Sequence, residues 1–196
     1  MSADPPIDPK LLDAAVELMG RSGGSGRVRV QGDSMRPMLR PGDVLEVAFK
    51  GDPPRTGDLL LFRQADYLVV HRLLGRARRQ GGEVGFRTRG DASMALDPRV
   101  AEGSVLGRVV AFERGSERRE LKGRRARGYA RAMAWHGFCW AALAAVARRI
   151  DRGLGRGRAE RSFERLVRRV DRRLLRLVHG AVFDRLHPLR SLPPDR

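Results

Sequence analysis

Cysteine occurs once in the 196 residues, at Cys139, which excludes an internal disulfide framework and gives no support to a zinc site. Lysine is almost as scarce: Lys10, Lys50 and Lys122 are the only three, and none lies between positions 51 and 121. Chemistry that needs a buried, neutral lysine as its base has few places to find one. No export signal is visible in MSADPPIDPKLLDAAVELMGRSGGSGR (1–27), which carries acids early and no useful apolar run. Nothing reaches the roughly 18–20 apolar residues of a membrane span. The nearest approach is AMAWHGFCWAALAAVA (132–147), which includes His136 and is flanked by arginine. It reads as a helix buried against protein or lying at a membrane surface. A cytoplasmic or peripherally membrane-associated protein is the expectation.

Arginine is abundant, and it is unevenly placed. Residues 1–120 hold 20 Lys+Arg against 17 Asp+Glu, a net of +3, whereas residues 121–196 hold 20 against 6, a net of +14. The formal charge of +17 therefore belongs to the C-terminal part and must be explained there.

The chain divides by composition into residues 1–26, 27–121 and 122–196. Pro9 to Met19 places Leu11, Leu12, Ala15, Val16 and Met19 on one face of a short helix, with Asp8 before Pro9 as its start signal. GRSGGSG (20–26) follows as a flexible linker. From Arg27 the chain reads as short strands at 27–31, 44–49, 58–63, 67–74, 84–88 and 105–112, punctuated by Gly, Pro and Asp turns. Their spacing predicts a compact coiled β-sheet or partial barrel. After Lys122, helices are expected over about 125–151 and 159–186, separated by GLGRG (153–157). The second carries Phe163, Leu166, Val167, Val170, Leu174, Leu177, Val178, Ala181 and Phe183 as one apolar stripe among arginines. The whole predicts an α+β chain: a β-rich domain followed by a basic helical extension.

The stretch Gly32 to Asp43, GDSMRPMLRPGD, presents Ser34 at a turn between two apolar runs. A serine hydroxyl attacks only when a base removes its proton. The β-rich part holds a single histidine, His71, inside the apolar run YLVVHRLLG, and an imidazole can take a proton at neutral pH. RTRGDASMALDP (87–98) supplies Asp91 and Asp97, either of which suits the carboxylate that orients such a base. Each residue also has a purely conformational reading, since Ser and Asp are ordinary turn residues.

Taken together, GDSMRPMLRPGD, GDLLLF (57–62), VVHR (69–72), RGDASMALDP (89–98) and VLGRVV (105–110) resemble the serial motifs of the type I signal peptidases. Histidine in the base position resembles the archaeal and endoplasmic-reticulum branch rather than the bacterial Ser–Lys branch. The resemblance implies a serine endopeptidase with Ser34 as nucleophile, His71 as base and Asp97 as third member, and no metal or cofactor. Asp91 would be a supporting carboxylate, and Met35 would pack beneath the nucleophile. Gly32 departs from the bacterial pattern, in which a serine there helps to hold the oxyanion; backbone N–H groups, chiefly that of Ser34, would serve instead. The family's N-terminal anchor is also missing from the pattern.

GDSM-x-P also resembles the LexA-like self-cleaving repressors. Those need lysine as base and a scissile Ala-Gly or Cys-Gly pair, and residues 1–33 contain no such pair. A third reading is a catalytically inactive peptidase fold whose Arg-rich helices act as a binding module. The expected partners are a peptide or protein substrate and an anionic membrane surface met by residues 122–186. Trp135, Phe138 and Trp140 suit an interfacial position. The scarcity of aromatic residues over 159–186 argues against nucleic acid.

Overall fold

The structure, a computed structural model, describes residues 24–49, 51–65, 67–78, 84–93 and 95–154. The expected helices over 9–19 and 159–186, and most of the 20–26 linker, lie outside the described residues.

Alternating apolar residues between turn signals give strands β1 (Ser25–Arg29), β2 (Val44–Ala48), β3 (Leu59–Gln64), β4 (Tyr67–Arg78), β5 (Val84–Arg89), β6 (Val100–Ala101), β7 (Val105–Arg114) and β8 (Glu117–Glu120). A helix, α1 (Arg124–Leu154), follows. The strands form one antiparallel sheet in the order β1-β2-β7-β3-β4-β5-β6, with β8 added on β7. The sheet is open rather than closed, and the fold is α+β.

Six strands fall where the sequence pattern placed them. β6 and β8 had no such signal, for physical reasons. β6 is two residues long, and β8 reads ERRE without one apolar side chain. β8 is held instead by its ladder to β7 and by the ion pair of Arg118 with Glu46 of β2.

Strand β3 explains how the core is divided. Its first four residues, LLLF, are all buried, so both of its faces are covered and alternation is lost. Leu59 and Leu61 join Met35, Met38, Leu39, Leu45, Val47, Val109, Phe112, Tyr129 and Met133 in the larger cluster. Leu60 and Phe62 point the other way, into a cluster with Leu73, Phe86 and Val100. The β3–β4 register pairs Leu60 with His71 and Leu59 with Arg72. Cross-strand partners share a face. His71 and Arg72 therefore project to opposite sides of the sheet.

Helix α1 lies over the face that holds Arg72, with Tyr129 and Met133 in the larger cluster. The approach is close at Gly57, where a Cβ would stand 2.7 Å from the backbone of Ala130, and this turn has φ +98°. Only glycine fits both demands. Among the described residues no helix is long and apolar enough to cross a membrane.

Candidate active site

Ser34 sits in the turn after β1. The carbonyl of Asp33 accepts from the N–H of Arg36 at 3.1 Å, and that of Met35 from the N–H of Leu39 at 3.0 Å. The Asp33 and Arg36 side chains pair across the same turn. Met35, Met38 and Leu39 bury their side chains in the larger cluster and anchor the turn, while Ser34 stays exposed. Around Gly32 there is open space: a Cβ there would meet nothing within 4 Å.

His71 is carried in by β4 on the face of Leu60 and Phe62, and the Phe62 ring meets it edge-on with centroids 6.1 Å apart. Its Nε2 lies 3.0 Å from Ser34 Oγ, and its Nδ1 lies 2.6 Å from Asp97 Oδ2. A carboxylate can only accept, so Nδ1 carries the proton and Nε2 turns its lone pair to the serine hydroxyl. Both the His71 and Asp97 side chains are largely buried, at 11% and 12% exposure. The arrangement can draw a proton from Ser34 while keeping the resulting imidazolium beside a fixed negative charge.

Asp97 is held by a residue that sequence reasoning missed. Thr88, at the end of β5 and fully buried, donates its hydroxyl to Asp97 Oδ2 at 2.7 Å. Its carbonyl accepts from the Asp97 N–H at 3.1 Å. Thr88→Val should slow any reaction of Ser34 about tenfold without unfolding the protein, because a hydrogen bond to a charged group contributes ~1.5–3 kcal/mol and only the orientation of Asp97 is affected. Equal rates for Thr88→Val and wild type in a serine-labelling time course would remove this positioning role.

Asp91 has a different place. It faces Arg72 on the opposite side of the sheet, with Arg72 Nε to Oδ1 at 2.7 Å and Nη2 to Oδ2 at 2.5 Å. Both are buried, at 1% and 3% side-chain exposure. Arg72 also donates from Nη1 to the carbonyl of Gly57 at 2.8 Å and from Nη2 to Met38 Sδ at 3.0 Å. Its guanidinium further lies over the Tyr129 ring at 5.9 Å. Burial disfavours the Arg72 charge, but the Asp91 carboxylate more than offsets this, and the guanidinium is held above its usual range. Burial, followed by the Asp91 charge, pushes the Tyr129 phenol up. One side chain thus ties the Ser34 turn, the β2–β3 turn, β4, the 90–92 loop and α1 together.

Gly90 joins the two sides. A Cβ at this position would lie 2.7 Å from the Ser34 carbonyl oxygen, 3.0 Å from His71 Nε2 and 3.1 Å from Ser34 Cβ. The Ala92 N–H donates to that same Ser34 carbonyl at 2.8 Å. Ordinary contact distances begin near 3.5 Å, so any side chain here must push serine and histidine apart. Gly90→Ala should therefore fold yet slow reaction at Ser34 by about 10²-fold, the cost of roughly 1 Å of misplacement. A rate within threefold of wild type would show that the loop yields instead.

A serine, an imidazole and a carboxylate in hydrogen-bonded series, on a turn set into an open antiparallel sheet, invite comparison with peptidases. The Peptidase S24-like family model matches residues 7–109. The chain belongs to this family. The match spans just over half of the 196 residues and ends within β7, so β8 and α1 lie beyond it. It gives this S24-like chain a fold of the serine-peptidase type, shared by LexA-like self-cleaving proteins and signal peptidases, and does not select between them. No curated protein matches the chain.

Proposed function

We propose that this S24-like chain is a serine endopeptidase that cleaves signal, leader or precursor peptides. The reading is carried by the series Ser34 Oγ, His71 Nε2, His71 Nδ1, Asp97 Oδ2, with spacings of 3.0 and 2.6 Å, opening to solvent at the serine. In the proposed reaction Oγ attacks the scissile carbonyl carbon as its proton passes to His71 Nε2. The carbonyl oxygen becomes an oxyanion held by the Ser34 N–H. Collapse of the tetrahedral intermediate breaks the C–N bond, and the imidazolium returns its proton to the leaving amine. A water molecule then repeats the sequence on the acyl-enzyme and releases Ser34.

Histidine at the base position and the order of the motifs from Gly32 to Val110 support processing of other chains. The family match favours a second reading, self-cleavage in the LexA manner. Against it stand His71 where those proteins use lysine and the lack of an Ala-Gly or Cys-Gly pair within residues 1–33.

The test is labelling with a serine-directed fluorophosphonate, alongside a mass-spectrometric screen for peptide cleavage, on wild type, Ser34→Ala and His71→Ala. Labelling and cleavage should vanish with Ser34→Ala and drop at least 10³-fold with His71→Ala. If all three proteins behave alike on every substrate, the catalytic reading fails and an inactive binding module takes its place. Truncation of the chain itself, without cleavage of added peptides, would select self-processing.

A further inference from the structure

We propose that the outward face of α1 is a docking surface for anionic lipid bilayers, with the helix lying in the plane of the headgroups. The helix buries Tyr129, Met133, Gly137 and Ala141 on its inner side. At 100° per residue the opposite side carries Trp135, Cys139, Ala142 and Val146, with Phe138 and Leu143 at its margins. Trp135 is 70% exposed, Val146 54% and Phe138 46%, and the Trp135 and Phe138 rings stack at 6.3 Å. Trp140, expected beside them from the sequence, is instead half-buried and donates Nε1–H to His136 at 2.5 Å. Scattered exposed apolar residues need no explanation, but a contiguous aromatic and aliphatic patch does.

Charge decides what covers it. Arg124 and Arg131 stand exposed on the patch side before it and Arg149 after it, and no acidic residue occurs from Arg124 to Ile150. Guanidinium groups at both ends can reach lipid phosphates while the rings and aliphatic side chains enter the acyl boundary. A second copy would set these arginines against its own in either orientation. Residues 155–196 hold 12 arginines against 5 acids, so they too bring charge of the same sign. Nucleic acid complements the charge but offers no apolar layer for Leu143 and Val146. An anionic bilayer supplies both.

The single cysteine is exposed within the patch and serves as a reporter. Full-length protein is mixed with phosphatidylcholine vesicles with and without 30% phosphatidylglycerol, at low and high salt, and scored by co-sedimentation. A polarity-sensitive dye on Cys139 gives a second readout. Binding should require phosphatidylglycerol, weaken at least tenfold at high salt, shift the dye to the blue, and fall at least tenfold in Trp135→Ser/Phe138→Ser. Trp135→Phe should bind like wild type, and thermal melts should show all variants folded. Three outcomes overturn the proposal: no binding to anionic vesicles at low salt, binding indifferent to Trp135→Ser/Phe138→Ser, or slow reaction of Cys139 with thiol reagent in the free protein. The last would mean that the chain itself or a second copy already covers the face.

Discussion

Asp97→Asn is expected to leave the protein folded and to cut the rate of fluorophosphonate labelling by about 10⁴-fold, the loss seen when a Ser-His-Asp series is broken at its carboxylate. The isosteric change removes a charge, not a shape, and should cost only about 1 kcal/mol of stability. Its effect on the proton arrangement is larger. One oxygen, Oδ2, accepts from both His71 Nδ1 and Thr88 Oγ1. If the new amide nitrogen takes that place, it donates to Nδ1, and the ring proton moves to Nε2, where it faces Ser34 as a donor. If the amide oxygen takes it, the tautomer survives but the charge that stabilises the imidazolium is gone. Either way His71 is a poor acceptor for the serine proton. Labelling within tenfold of wild type, with an unchanged thermal melt, would end the idea that Asp97 orients the base.

The second large effect falls on stability. Arg72→Met should destabilise the fold by about 3–5 kcal/mol, because it leaves the Asp91 carboxylate buried without its partner. Asp91→Asn should act in the same direction by stranding the guanidinium. The double variant Arg72→Met/Asp91→Leu should recover much of the loss, since an apolar pair of similar volume carries no desolvation cost. Urea melts of the three proteins separate these cases. An Arg72→Met protein within 1 kcal/mol of wild type would mean that water reaches Asp91 and that the pair is not dry. Labelling of the double variant then asks a further question. Ala92, next to Asp91, donates to the Ser34 carbonyl, so a stable but unreactive double variant would assign the ion pair to holding the 90–92 loop against the Ser34 turn.

These two carboxylates stand six residues apart, and residue type alone did not separate them; only the motif resemblance favoured Asp97. Asp91 follows a glycine and Asp97 precedes a proline, and both suit a loop. What separates them is the sheet. His71 and Arg72 are neighbours in β4 and project to opposite faces, and each recruits the aspartate on its own side. Arg72 was invisible as a core residue, because arginine is ordinarily a surface residue and nothing local announces a buried partner 19 positions away. Thr88 was equally hidden: a threonine in a strand is commonplace, and its hydroxyl acquires meaning only beside Asp97. Gly90 read as part of a turn signal, whereas its constraint is steric and comes from Ser34, far along the chain.

The amino-acid sequence by itself determined the local elements. Apolar runs of strand length between Gly, Pro and Asp turns produced six of the eight strands, and composition alone located the basic helix. It also fixed which chemistries were on offer, by supplying one histidine and no lysine across most of the β-rich part. Tertiary structure decided the rest: the order of strands about β7, the two faces of β3, the pairing of each aspartate and the side of α1 that packs on the sheet. Ser34 and His71 are 37 residues apart, and His71 and Asp97 are 26 apart. Such contacts are set by antiparallel register and side-chain alternation, where a slip of one residue would turn His71 to the far face and bring Arg72 to the serine. Local propensity carries no information about that register. Its side-chain partners distinguish it: His71 meets Asp97 on one face and Arg72 meets Asp91 on the other.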